Sequence, residues 1–202
     1  MRNRPVASEE MKSFLQEGLR MYAPALVALS EFRRQIQSRM QVVLDEFSIQ
    51  FSEIGLSIAD LKPASEKLDD PTLGANSASI RLRKTYGAAL YAGYYVAWDL
   101  GEAKGKQVWV GAWVYVGKRA DRDRLFGALQ KQHAALSKTD LEQDPDDGSP
   151  VLYSYCDPEF FYSFNETFRA LVEEWVGLLS SVGGIQPFLS GVSAPVTQAD
   201  ND

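Results

Sequence analysis

Cys156 and His133 are the only cysteine and the only histidine in the chain, and a nucleophilic cysteine needs a base such as an imidazole to activate it. Cys156 stands just ahead of Asp157-Pro158-Glu159, a capping carboxylate followed by proline at the first helical position. A helix dipole at that point would lower a thiol's pKa. His133 falls on the apolar spacing of Leu125, Phe126, Leu129 and Leu136, which reads as a packed, hydrogen-bonded histidine, and nothing in the spacing brings it to Cys156. Five acids, Asp140, Glu142, Asp144, Asp146 and Asp147, crowd one loop. A calcium loop opened at Glu142 would need glycine where Asp147 stands and glutamate where Tyr153 stands, so a solvated loop is the better reading. No glycine-rich phosphate loop is spelled anywhere in the chain.

Asp99, Glu102 and Lys104 are the remaining catalytic candidates. The order helix, three strands, helix, strand is similar to that of the restriction-endonuclease-like fold. That resemblance implies magnesium held by an Asp and by an Asp/Glu-x-Lys pair on adjacent strands, with the lysine helping to activate water. Glu102-Ala103-Lys104 has the local spelling but falls in a turn, and Asp99 precedes it by only three residues, leaving no room for the intervening strand. Whether the chain is an enzyme therefore stays open, with the balance against. No metal site is expected, and magnesium enters only under the nuclease alternative.

The net charge of −6 is unevenly laid out. Residues 77–139 carry 11 basic and four acidic side chains, whereas residues 140–202 carry one basic and 12 acidic. Within the basic block, Arg81, Arg83, Arg119, Arg122 and Arg124 are the candidate contact residues, either for nucleic acid or for an acidic protein surface. One cysteine and the lack of an apolar stretch behind Arg2 and Arg4 point to a reducing, cytoplasmic setting. The densest apolar run, Ala88–Trp98, is short of the ~20 residues that span a bilayer, so no membrane contact is expected.

The elements that must position these residues begin with the clearest periodic signal. Leu15, Tyr22, Leu29, Ile36 and Val43 recur every seven residues, with Leu19, Leu26, Phe32 and Met40 widening the stripe. As one helix the arm 8–50 would run roughly 60 Å, longer than the ~40–45 Å of a compact body this size. It must break near Ala23-Pro24, where proline removes a backbone donor, or protrude toward another chain; the break is expected.

Residues 52–76 read as a connector, broken by Gly55, Pro63, Pro71 and Gly74. Ala78, Ile80 and Leu82 alternate with polar residues as a half-buried strand. The runs Ala88–Trp98 and Val108–Val116 form a hairpin whose register follows from side-chain size. Setting Asp99 opposite Gln107 pairs Ala97 with Trp109, Tyr95 with Gly111, and Gly93 with Trp113, so large residues mostly meet small ones. Both faces are apolar, which predicts that both are covered, by helices or by a partner. The size match makes Tyr91, Tyr95, Trp109, Trp113 and Tyr115 a sheet core rather than a stacking platform for bases. A helix over 119–137 with Asp121 as cap, a strand at 151–155 and a helix from Asp157 to Leu179, ended by Gly183-Gly184, complete the chain.

These observations predict one α+β domain with a four-stranded, mostly antiparallel sheet covered by helices, in the order α(α)-β-β-β-α-β-α. Residues 1–7 are an N-terminal extension, 8–189 the domain, and 190–202 an acidic tail; removing 186–202 is expected to leave the fold intact. The function expected is that of a non-catalytic interaction or regulatory protein working through protein–protein contacts, self-association included. The alternative is a magnesium-dependent nuclease, or a degenerate relative that binds nucleic acid without cutting.

Overall fold

The computed structural model describes residues 9–63, 77–82, 90–99, 107–134 and 137–189. It is an α+β fold built on a six-stranded sheet in which every neighbouring pair is antiparallel. The chain runs α1 (Glu9–Glu46), α2 (Ser48–Glu53), β1 (Leu61–Pro63), β2 (Ser77–Leu82), β3 (Leu90–Asp99) and β4 (Gln107–Val116). It continues with α3 (Arg119–Gln132), β5 (Asp140–Gln143), β6 (Pro150–Cys156) and α4 (Phe164–Ser181). In space the strands lie in the order β1-β2-β3-β4-β6-β5.

Two strands exceed the expected four, and both are edges. β1 has three residues and ends in Pro63; β5 has four, of which only Leu141 is an apolar residue. Neither carries enough apolar alternation to announce itself, and short, charged or proline-bearing strands are what protects a sheet edge from pairing with other chains. β5 was expected to be part of the acidic loop, which in fact begins after it.

The hairpin register matches expectation along its length. Asp99 is opposite Gln107, Tyr95 opposite Gly111, Gly93 opposite Trp113 and Tyr91 opposite Tyr115.

The helices gather on one face. There Ala92, Tyr94, Val96, Val108, Val110, Ala112, Val114 and Leu152 are buried. Phe51 of α2 and Phe168 of α4 each meet the Tyr94 ring edge-on, at 5.9 Å between centroids. Phe32 of α1 meets Trp98 at 5.3 Å. Leu125 and Leu129 of α3 close the same core.

α1 does not break at Pro24: it is one helix of 38 residues, about 57 Å long at 1.5 Å per residue. Pro24 and Arg20, whose carbonyl proline leaves without a donor, are both exposed, so water can satisfy that carbonyl. Its C-terminal half seats on the body through Ile36, Met40, Val43 and Leu44, all buried. Arg39 donates to Asn165 Oδ1 (3.0 Å) and the Phe161 carbonyl (3.1 Å), and Arg169 of α4 grips Glu46 with two bonds of 2.8 Å. Met21 and Tyr22 stay largely exposed, so the protruding arm is the outcome, not the break.

Three further expectations change in detail. Asp121 sits at the third helical position of α3, not at its cap, and reaches back to accept from the Lys118 amide at 3.1 Å. Asp157 does cap a helical turn, accepting from the Glu159 amide at 3.0 Å, but that turn is a short 3-10 segment (Pro158–Phe161) ahead of α4. Phe188 and Leu189 are buried and Arg124 bonds the Pro187 carbonyl at 3.1 Å, so a deletion beginning at residue 186 removes packed residues. Residues 1–7 and 190–202 lie outside the described residues.

Candidate interaction surface

Strand alternation gives each residue of β3 and β4 to one of two faces. The face away from the helices carries Tyr91, Tyr95, Trp109, Trp113, Tyr115, Tyr153 and Tyr155. None of these is buried, and Tyr91 and Tyr155 are plainly exposed. None joins the hydrophobic core. Of the two expected covers, helices or a partner, the helices take one face only among the described residues, and the core forms there. The sequence could not distinguish the faces because both are apolar.

The rings on this face pack chiefly on the sheet itself. Tyr91 meets Tyr115 edge-on at 5.6 Å, and Tyr153 meets Tyr155 at 5.4 Å. The Tyr95 ring lies across Gly111, and the Trp113 indole lies over Gly93. Glycine leaves the space these rings fill, as aromatic cover of a strand glycine requires. Partial burial, then the nearby Tyr155, Glu142 and Asp144, push the Tyr95 hydroxyl pKa up to about 12.

The register also orders charge across the face. One row runs Lys62, Arg81, Gly93, Trp113, Val151, Glu142 from edge to edge. The next runs Ser79, Tyr95, Gly111, Tyr153, Asp140. The β1–β2 side is therefore basic, the middle aromatic and the β5 side acidic. Tyr153 donates to Glu142 Oε1 at 2.7 Å, which holds its phenol in the protonated form to higher pH.

The candidate arginines do not share one patch role. Arg81 lies on the aromatic face in β2. Arg122 is buried: it donates to the carbonyls of Asp147 (2.7 Å), Val116 (3.3 Å) and Gly117 (2.8 Å), and stacks 4.0 Å over Tyr115. It closes one corner of the face and ties α3 to the acidic loop. Arg119 is exposed and pairs with Asp123 at 3.3 Å. Arg124 pairs with Asp121 at 3.5 Å and lies over Phe188. Arg83 lies outside the described residues.

Of the nuclease candidates, Asp99 ends β3 opposite Gln107, and Glu102 and Lys104 lie outside the described residues. Among the described residues no group of three or more His, Cys, Asp or Glu side chains is placed to hold a metal ion. No described helix is long and apolar enough to cross a membrane.

Cys156 lines an open depression of about 510 Å³ with Tyr155, Asp157, Glu159 and Tyr162. Burial and the neighbouring Asp157 carboxylate push its thiol pKa up, opposite to the expected activation by a helix dipole, since the helical turn that follows is short and already capped by Asp157. His133 is engaged elsewhere. Its Nε2 lies 3.2 Å from Thr139 Oγ1, which donates to Glu174 Oε1 at 2.6 Å, and Ser137 Oγ donates to the same oxygen. This cluster fastens the end of α3 to α4. Glu174 and Thr139 both approach the Nε2 side of the ring, so among the described residues the group lacks the base-orienting contact on the second ring nitrogen that a hydrolytic triad uses. In the acidic loop, Asp144 Oδ1 accepts from the amides of Asp146 (2.8 Å) and Asp147 (3.1 Å), a turn of the kind aspartate makes with its own backbone.

Aromatic residues with opposite charge at the two sheet edges are what sequence reading missed as a surface: the alternation of β3 and β4 shows two apolar faces but not which of them the helices leave uncovered, and the edge charges sit on β1, β2 and β5. No family model, curated protein or solved structure matches the chain.

Proposed function

We propose that the protein is a non-catalytic interaction module that works through protein–protein contacts, with the aromatic sheet face as its contact surface. The observation carrying this reading is that Tyr91, Tyr95, Trp109, Trp113 and Tyr115 stay outside the core while the opposite face of the same strands is sealed by helices. Of these rings Tyr91 is exposed and the other four are half-buried; apolar surface left open to water marks interaction sites, and tyrosine and tryptophan are enriched in protein contacts. The exposed Met21 and Tyr22 on the protruding half of α1 offer a second apolar element. The acidic edge of Asp140 and Glu142 favours a protein over a nucleic acid, because phosphates would be repelled there.

A photo-crosslinking residue placed at Tyr91 or Trp113, with Ile49 as an off-face control, tests this in cells producing the full chain. Protein adducts formed from the face positions and not from position 49 support the reading. Adducts to nucleic acid alone, or none from either face position, overturn it.

A further inference from the structure

We infer that the occupant of the aromatic face is a second copy of this chain, packed sheet against sheet about a two-fold axis that runs parallel to the strands. This rests on the reading of the face as a protein contact surface. The partner is identified by charge. A two-fold axis along the strands and between β3 and β4 reverses the strand order of the facing sheet, so β1 lies over the partner's β5 and β2 over the partner's β6. The row Lys62, Arg81, Gly93, Trp113, Val151, Glu142 is then laid on its own reverse. Lys62 of each copy faces Glu142 of the other, with Asp140 one row away. The alternative two-fold, perpendicular to the strands, would stack like charges at both edges. A C2 interface must be self-complementary in this sense.

The size of the face agrees. Five inter-strand steps of about 4.8 Å make the sheet roughly 24 Å wide, and the ten residues of β3 and β4 make it about 33 Å long at its middle. With the shorter outer strands this is about 600 Å² of flat face per copy, or ~1,200 Å² for the pair, the lower bound of specific interfaces. Relief in the tyrosine and tryptophan side chains adds to it. Sheets packed this way lie ~10 Å apart with their inner side chains interdigitated, and the half-buried rings supply that layer. The two charged edges fall at the rim, where they select orientation more than they add affinity.

The test is sedimentation of the full chain over a concentration series, with charge reversals at the exposed edge residues Lys62 and Glu142. The wild type should be a dimer whose dissociation constant rises with salt. Lys62→Glu and Glu142→Lys should each weaken it tenfold or more, since symmetry places the repulsion twice. Mixing the two single variants should restore a dimer, because each reversed charge then meets its complement, and the double variant should dimerise on its own. Circular dichroism and melting of each variant verify folding. A wild type that stays monomeric, a dimer indifferent to both reversals, or one abolished by Tyr22→Glu on α1 but not by the edge changes would each overturn the inference. Quenching of Trp109 and Trp113 fluorescence by a single-stranded oligonucleotide, with the chain monomeric, would overturn it in favour of nucleic acid. Face-specific crosslinks to a different protein with a monomeric wild type would sink the dimer and leave the interaction module standing; no protein crosslinks at all would remove both.

Discussion

The indole of Trp113 lies directly over Gly93 on the neighbouring strand. A β-carbon added at Gly93 would come within 2.9 Å of both Trp113 Cζ2 and the Ile80 carbonyl oxygen. The indole could shift toward the open side of the sheet, but the Ile80 backbone is held in the β2–β3 ladder. Gly93→Ala should therefore destabilise by about 1–3 kcal/mol through overpacking, although alanine is the better strand residue by ~0.5–1 kcal/mol in a neutral setting. At Gly111 the atoms nearest an added β-carbon all belong to the far end of the Tyr95 side chain, so Gly111→Ala should cost less. Urea melts of the two variants check the order; a more costly Gly111→Ala would show that the Tyr95 ring cannot move.

Tyr94 is fully enclosed between Phe51 and Phe168, and its hydroxyl has no hydrogen-bond partner among the described residues. A buried hydroxyl without a partner costs about 1–3 kcal/mol in desolvation. Tyr94→Phe should thus be neutral or stabilising by up to ~2 kcal/mol, with a higher Tm. A loss of more than about 1 kcal/mol would mean the hydroxyl is satisfied in solution.

Arg122 and Arg119 sit three residues apart on α3 and should behave oppositely. Arg122 is buried against three carbonyls and the Tyr115 ring, so Arg122→Ala should cost about 2–4 kcal/mol. Arg122→Lys recovers little of it, because an ammonium cannot reproduce the planar fork or the stacking. Arg119 makes an exposed pair with Asp123, and Arg119→Ala should stay within ~0.5 kcal/mol. Thermal melts distinguish the two.

Acid should loosen the joint between α1 and α4. The bond from Arg169 holds the Glu46 carboxyl below its ordinary value near 4.5, so the folded state binds its proton less readily than the unfolded one. The pair's contribution is complete above that ordinary value and is lost as pH falls through the depressed one. Glu46→Gln should therefore melt lower than wild type at pH 7, and the gap should close as pH drops below 4.5. A gap independent of pH would detach it from the carboxylate charge.

Cys156 should react slowly with a thiol reagent at neutral pH and faster only as pH rises beyond the ordinary thiol range, since its pKa is raised by burial and Asp157 and the thiolate is the reactive form. His133→Ala should leave that rate unchanged. Rapid alkylation at pH 7, slowed by His133→Ala, would restore a thiol–imidazole pair.

Much of this architecture is legible in the residues. The hairpin register can be read because the two strands are near neighbours in sequence and bulky rings must oppose glycine or alanine; Tyr95 with Gly111 and Gly93 with Trp113 admit one alignment, and a one-residue slip would turn a whole strand over. The edge strands β1 and β5 were not legible, because three or four residues dominated by charge and proline carry no alternation until a neighbouring strand supplies their hydrogen bonds.

What local pattern determined was the set of long elements, the hairpin's pairing and the caps at Asp157 and Gly183-Gly184, all short-range in origin. Tertiary structure alone decided which apolar face of the sheet would become core, since both faces of β3 and β4 carry large side chains and only the positions of α1, α2 and α4 separate Tyr94 from Tyr95. It likewise decided that Pro24 faces water so that α1 runs through it, and that Arg122 is an internal tie while Arg119 is a surface ion pair. Each of these depends on where a distant segment lies, and burial is a property of the packed assembly that no spacing of residues along one element can specify.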